Sequence, residues 1–375
     1  MNFTHLHVHT EYSLLDGSNK INEYVARVKE LGMNSAAITD HGVMFGCIDF
    51  YRAAKAAGIK PILGCEVYVA PGSRFDREIG QAEDRYYHLV LLAENNHGYE
   101  NLMKIVSKAF VDGFYYKPRV DMDLLQEYHE GIIALSACLA GEVAKNITRG
   151  MYEEAKSAAL RYEKIFGKGN FFLELQDHGI PQQQRVNQQL LRMSQETGIA
   201  LVATNDVHYT YDTDAEAHDI LLCVQTRKLL SDENRMRYEG GQYYVKSPEE
   251  MAELFPYIPE ALENTQKIAD RCEVEIEFGV TKLPKFDVPA PYTSWEYLNK
   301  LCYDGLKERY TGDLTELEKR LEYELGVIKT MGYVDYFLIV WDFIRFARDH
   351  DIMVGPGRGS AAGSLVSYTL GITKL

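Results

Sequence analysis

Three histidines alternate near the start of this chain, His5, His7 and His9 in "THLHVHTEYSLLDG" (residues 4–17), and the carboxylate of Asp16 follows them. Side chains two apart on an extended strand point the same way, so this stretch can present more than one imidazole to a single metal ion. The same residue types recur down the chain. "TDHG" carries His41, "GCEVY" Glu66, "YYHLVLLA" His88, "SACLAGE" Cys138, and "TNDVHY" both Asp206 and His208. Taken singly, a histidine or aspartate after a strand is more often a cap or a turn residue, and a cysteine a small buried hydrophobe. Glu66 is harder to set aside, because an unpaired carboxylate inside an apolar run is costly. Together six stretches supply nine candidate ligands, with five of the chain's eleven histidines among them. Nine exceeds the about four that one zinc takes, so two or three divalent ions are expected. Imidazole and thiolate suit zinc, iron or manganese better than magnesium. Clustered cations activate a bridging water and neutralise the attacking and leaving oxygens of a phosphate diester. The chemistry indicated is phosphoester hydrolysis, with a metal-bound hydroxide rather than a side chain attacking. His5 shares the parity of His7 and His9 and is read as a supporting residue.

Such a site needs elements that bring these stretches together. Short apolar runs alternate with amphipathic ones through the first two hundred residues. Strands are expected at 3–8, 35–39, 61–70, 87–93, 131–137, 171–176 and 199–205, and helices at 19–32, 43–58, 151–167 and 180–198. Gly32, Gly58, Gly167 and Gly198 stand where those helices should stop, and Pro181 where one should start. Strands alternating with helices indicate parallel strands, right-handed crossovers and a barrel-like α/β domain with its active residues at the C-terminal strand ends. After about residue 210 the pattern is mostly helical, with a short hairpin expected near 236–245. A proline-rich linker, 282–294, precedes helices expected at 294–310, 314–331 and 335–350. The expected domains are therefore 1–281 and 282–375.

Composition sets the limits. The chain has 375 residues, 46% hydrophobic and 25% charged, with a formal net charge of −15. It has no apolar run of membrane-spanning length, no signal peptide and no CxxC pair, so a cytoplasmic protein without disulfides is expected. The negative charge argues against coating nucleic acid through an overall field, but bound cations invert the sign locally.

The motifs "HLHVHTEYSLLDG", "ITDHG", "GCEVY", "HLVLLA", "ACLAGE" and "NDVHY" resemble, in order, the metal motifs of the polymerase-and-histidinol-phosphatase (PHP) family. "GFYYKPRVD" (113–121), "ALVATNDVHYT" and "MGYVDYFLIVWDFI" (331–344) are similar to the C-family replicative polymerases of bacteria. The resemblance implies a distorted (β/α)7 barrel of the PHP type followed by a mostly helical part of a polymerase palm. It implies a three-metal site whose ligands are His7, His9, Asp16, His41, Glu66, His88, Cys138, Asp206 and His208. An intact set implies a metal-dependent 3′→5′ exonuclease able to proofread during DNA replication. The alternatives are a metal-stabilised scaffold without activity, or a phosphomonoesterase of the histidinol-phosphatase kind.

"GPGRGSAAGS" (355–364) offers backbone N–H groups to phosphate ahead of an expected helix at Ser360. By resemblance it is the palm loop, with Gly363 and Ser364 on the incoming nucleotide's phosphates and Arg358 assisting. The palm's catalytic aspartates lie beyond this loop in the family, and the chain ends at Leu375, so an incomplete palm unable to polymerise DNA is expected. "GFYYKPRVD" mixes aromatics with cations, and Tyr115, Lys117 and Arg119 are candidate contacts for single-stranded DNA. The partners implied are a DNA primer-template, deoxynucleoside triphosphates with magnesium at the polymerase site, a sliding clamp and other replicase subunits; no membrane is implied.

Overall fold

A computed structural model describes residues 2–77, 85–280, 282–357 and 359–374. The chain divides into two compact units, residues 1–276 and 277–375.

The first unit is built on one curled sheet. Its strands are β1 (Ser35–Ile38), β2 (Lys60–Val69), β3 (Tyr87–Ala93), β4 (Arg119–Val120), β5 (Ile132–Leu135), β6 (Phe171–Leu175) and β7 (Leu201–Ala203). The order is β1-β2-β3-β5-β6-β7, with β4 beside β2. Helix Ile21–Glu30 precedes β1, and helices Cys47–Ala57, Asn96–Val111, Tyr152–Phe166 and Pro181–Thr197 lie between strands in the chain. The helix Cys47–Ala57 ends on Gly58 and Pro181–Thr197 on Gly198, each glycine left-handed, as the sequence pattern requires.

Two expectations are corrected. The sheet is mixed: β2 and β3 are antiparallel, as are β3 and β5. The start of β3 therefore lies at the same end of the sheet as the finish of β2 and β5. This puts His88, the second residue of β3, among residues that follow the other strands. The segment 3–8 is not a ladder strand. It runs between β1 and β7, with the Ala37 N–H donating to the His5 carbonyl at 3.1 Å, and His9 and Val207 forming reciprocal bonds at 2.7 and 3.0 Å through Val207 O and His7 O. The backbone bends at His7, and alternation breaks there. Leu6 belongs to the inner apolar cluster and Val8 to the outer one. A straight strand with Leu6 inside would turn His7 and His9 outward.

The period of two explains the rest of the interior. Ala37, Ile62, Val90, Leu92, Ile133, Leu135, Phe172 and Val202 form an inner cluster closed by Ile268 and Ala269 of helix Pro259–Arg271 and by Cys272 just after it. Their alternates, such as Ile38, Leu63, Leu91, Ala134, Leu173 and Ala203, pack outward against the helices. Continuing the inner parity brings His41 after Ala37, Glu66 after Ile62, His88 before Val90, and Glu174 after Phe172. One face is thus apolar at its floor and polar at its rim.

Residues 236–245 form no hairpin. They contain a 3₁₀ turn, Glu239–Gly241, and are held by stacked rings of Tyr238 and Tyr243, 4.7 Å apart.

The second unit packs helices Ser294–Arg309, Thr315–Thr330, Val334–Asp349 and Leu365–Thr369 around Leu298, Cys302, Leu306, Leu321, Leu325, Leu338 and Val366. Among the described residues no helix is long and apolar enough to cross a membrane.

Candidate metal centre

Glu66 occupies the middle of the polar rim and is fully enclosed. Its carboxylate lies 2.5 Å from His41 Nδ1, 2.9 Å from His88 Nδ1 and 3.2 Å from His7 Nε2. Asp206, just past β7, lies 3.2 Å from both His7 Nε2 and His9 Nε2. Its backbone is left-handed, with φ of 44°, a conformation aspartate tolerates better than most residues. Asp16 reaches His41 Nε2 at 3.0 Å. His9 stacks between its neighbours, with centroids 3.8 Å from His41 and 4.4 Å from His208. His208 donates through Nδ1 to the Asp206 carbonyl at 2.7 Å, and its Nε2 lies 3.2 Å from the Tyr238 hydroxyl. Cys138 Sγ sits 3.8 Å from His88 Nδ1. All nine residues singled out in the sequence therefore meet in one cluster.

The loops that carry them are fixed by other side chains. Asp40 accepts from the Thr10 N–H at 2.6 Å, the Thr10 hydroxyl at 2.8 Å and the Ser13 hydroxyl at 2.7 Å, which shapes the turn leading to Asp16. Gly42 takes a left-handed φ of +64° with the Tyr68 ring against it. A Cβ there would stand 2.8 Å from that ring. His218 Nε2 bonds the Asp16 carbonyl at 2.6 Å. His5, of matching parity, turns away and bonds the Lys246 carbonyl at 2.9 Å.

The electrostatics are those of a cation site. Burial works to raise the carboxylates, yet the surrounding imidazoles hold Asp16, Glu66 and Asp206 well below the ordinary range. Burial works to lower His41, but Glu66 and Asp16 outweigh it and bring it up to about 10. His7 is likewise raised, by Asp206 and Glu174 against burial. His9 falls to about 3, first through burial and then through the charges of His41 and His208.

The donor set fits divalent ions. His7, His9 and Glu66 have ligand atoms within 4.8 Å of one another, as do His9, His41 and His208, and His41, Glu66 and His88. His7 Nε2, His9 Nε2, His41 Nε2 and Asp16 Oδ1 are buried without a hydrogen-bond partner. Buried polar atoms in folded proteins are otherwise satisfied.

Sequence reasoning missed Glu174, whose Oε1 lies 2.7 Å from His7 Nδ1. The signal that picked out Glu66, a carboxylate inside an apolar run, was present in "FFLELQ". Tyr238 and Asp40 carried no comparable signal.

The proposed DNA contacts separate. Arg119 is completely buried, and its guanidinium donates to the carbonyls of Gly113 at 3.2 Å, Arg74 at 3.0 Å and Asp76 at 2.6 Å. It is a structural tie and not a contact for DNA. Tyr115 lies beneath that guanidinium, 5.1 Å from ring centroid to carbon. Lys117 stands over Tyr68 at 5.2 Å, and the Tyr68 ring lies 5.3 Å from that of His88. Lys117 is thus the member of the motif nearest the cluster with a cation to offer.

In the second unit Arg358 lies outside the described residues. Gly363 and Ser364 line a cleft of about 310 Å³ with Arg320, Glu324 and Lys374. The Ser364 hydroxyl donates to Glu324 at 3.0 Å, as does the Val366 N–H at 3.1 Å. These two donors of the loop are thus turned to a protein carboxylate, which a phosphate would have to displace. The helix expected at Ser360 begins instead at Leu365, after a 3₁₀ turn.

A mixed, curled sheet with histidines and carboxylates gathered at one rim defines the PHP class, and residues 5–178 match the PHP domain. Residues 296–375 match the domain described as the bacterial DNA polymerase III alpha NTPase domain. The whole chain is 49% identical to the DNA polymerase III subunit alpha of Treponema pallidum, covering 32% of that protein. It is 48% identical over its whole length to the subunits of the same name from Borreliella burgdorferi and Helicobacter pylori, covering 33% of each. The chain belongs to the bacterial DNA polymerase III alpha family, and it spans about a third of the length of the curated relatives it matches.

Proposed function

We propose that the PHP unit hydrolyses phosphodiesters, removing nucleotides 3′→5′ from single-stranded or frayed DNA, in a replicative polymerase that proofreads. The observation that carries this is the convergence of all nine ligand-type side chains, with four of their atoms buried without a hydrogen-bond partner. His7, His9, Asp16, His41, Glu66, His88, Cys138, Asp206 and His208 would hold two or three ions of zinc, manganese or iron. When bound, the ions supply charge for the scissile phosphate and lower the pKa of water. The protein's own part is geometric. Glu66 fixes His41, His88 and His7 about one carboxylate, and Asp206 sets the spacing of His7 and His9. The enclosed rim keeps bulk water from these contacts, and Lys117 beside Tyr68 offers a cation to the phosphates that follow the scissile one.

For the whole protein we propose template-directed DNA synthesis in the cytoplasm. Gly363, Ser364 and Arg358 would act on the phosphates of deoxynucleoside triphosphates with magnesium, with a sliding clamp and other replicase subunits as partners. The deciding assay compares a 3′-mismatched primer with a small phosphomonoester, using metal-loaded protein. Cleavage of the primer supports the nuclease. Turnover of the ester alone supports a phosphatase. Inertness toward both, with metal-dependent melting, leaves a scaffold.

A further inference from the structure

Glu174 is a buried carboxylate outside the ligand set. It follows Phe172 on the inner face of β6, where the apolar floor gives way to the polar rim. Its Oε1 lies 2.7 Å from His7 Nδ1 and 2.9 Å from Gln176 Nε2, and also receives the Thr204 hydroxyl. The Glu174 N–H donates to Ser136 Oγ at 2.8 Å, which pins the strand at this residue. A carboxylate oxygen only accepts, so His7 must carry a proton on Nδ1. The ring is thereby set with Nε2 toward Glu66 and Asp206, 3.2 Å from each, and that nitrogen has no hydrogen-bond partner.

We infer that Glu174 is a positioning residue for divalent-metal binding. It fixes the orientation and tautomer of His7, so that Nε2 is the atom offered to the ion. The inference rests on the reading of the nine residues as ligands. Two observations set Glu174 apart from a merely structural acid. It reaches a ligand imidazole through the nitrogen that faces away from the cluster, and it does so from a strand fixed on both sides. Carboxylates that hold ligating histidines in this way raise ligand basicity and sharpen geometry, and their loss costs about 10–100-fold in metal affinity or activity. Thr204 and Gln176 in turn fix the carboxylate; Gln176 Nε2 also lies 3.4 Å from His7 Nδ1, whereas Thr204 reaches His7 only through Glu174 and Gln176.

The test is zinc binding, measured by competition with a chromophoric chelator on the full 375-residue chain, with no activity readout. Glu174→Gln keeps shape and removes charge, and its zinc affinity is expected to fall by about 10–100-fold with the fold retained by circular dichroism. Thr204→Val removes a donor to the same oxygen but leaves the His7 contact. It is expected to lower the melting temperature while changing affinity by less than about threefold. Wild-type affinity in folded Glu174→Gln overturns the inference. If that variant does not fold, Glu174→Asp decides. A folded Asp variant with reduced affinity supports the inference, and one with wild-type affinity overturns it. A wild-type chain that binds no zinc removes the metal-centre reading itself, a result distinct from either.

Discussion

Metal binding should release protons from His7, His41 and Cys138. In the metal-free protein burial opposes a proton on either ring, but Glu66 and Asp16 hold His41 up at about 10, and Asp206 and Glu174 hold His7 above its ordinary range. His9, lowered to about 3, has no proton to give at neutral pH. A ligating imidazole must be free of its metal-side proton and a ligating cysteine of its thiol proton, which burial keeps on Cys138, so loading at pH 8 should release about three protons per chain. Calorimetric titration with zinc in two buffers of different ionisation enthalpy measures that number. The same rings set the stability of the metal-free state. In the unfolded chain His41 loses its proton near 6.5, whereas in the folded chain it keeps it to about 10. Between these values the folded state holds the extra proton, so its stability is full below 6.5 and declines as pH rises toward 10. The slope is at most about 1.4 kcal/mol per pH unit for each such ring. The depressed carboxylates Asp16, Glu66 and Asp206 act oppositely, and their contribution is lost as pH falls below about 4. Burial pushes His9 down to about 3 and His5, His178 and His218 down to about 4, so these rings take up protons only in the unfolded chain and stability also falls as pH drops below 6.5. The metal-free protein should therefore melt highest near about pH 6.5–7 and lower at both pH 5 and pH 9, with a flatter alkaline limb when loaded. No proton release at pH 8, together with a level metal-free profile from pH 7 to 9, would refute this account of the charges.

Asp206→Asn should fold, since asparagine accepts the left-handed φ of 44°, yet primer cleavage should fall by roughly two orders of magnitude or more as the charge between His7 and His9 is lost. Arg119→Met should destabilise the first unit by about 2–4 kcal/mol in urea unfolding, because three carbonyls lose their donor, with DNA affinity of the remaining folded protein unchanged. Lys117→Ala should leave melting unchanged and weaken single-stranded DNA binding, with a shallower salt dependence. Gly305→Ala would set a Cβ 2.0 Å from the Thr369 carbonyl, so helices Ser294–Arg309 and Leu365–Thr369 must part, at a cost of about 3 kcal/mol in chemical unfolding.

Much of this arrangement is legible in residue order because two periodicities carry it. Helices announce themselves by amphipathic spacing and stop glycines, and six of the seven strands by apolar runs. What an apolar run lacks is a direction. "YYHLVLLA" reads the same whether β3 runs with its neighbours or against them, and only its pairing with β2 and β5 settles that. The bend at His7 is equally silent, since alternation in the sequence persists through a break in the alternation of space. Arg119 misleads for a different reason. Cations among aromatics are usually solvated, and here three carbonyls from two segments, those of Arg74 and Asp76 and that of Gly113, converge on one guanidinium. Glu174 was readable by the same logic that marked Glu66, but its partner His7 lies far away in sequence, and only the folded sheet joins them.

The N-terminal segment, lodged between β1 and β7, has a consequence for synthesis on the ribosome. His7 and His9 are made well before the backbone that holds them at Val207, which follows about 200 residues later. At roughly 5–20 residues per second, tens of seconds separate the two. Throughout that interval these two histidines lack their final neighbours, and the centre cannot close until the seventh strand arrives. Ions captured early by the emerging chain would meet an unfinished site, so loading should follow the docking of β7 rather than accompany translation.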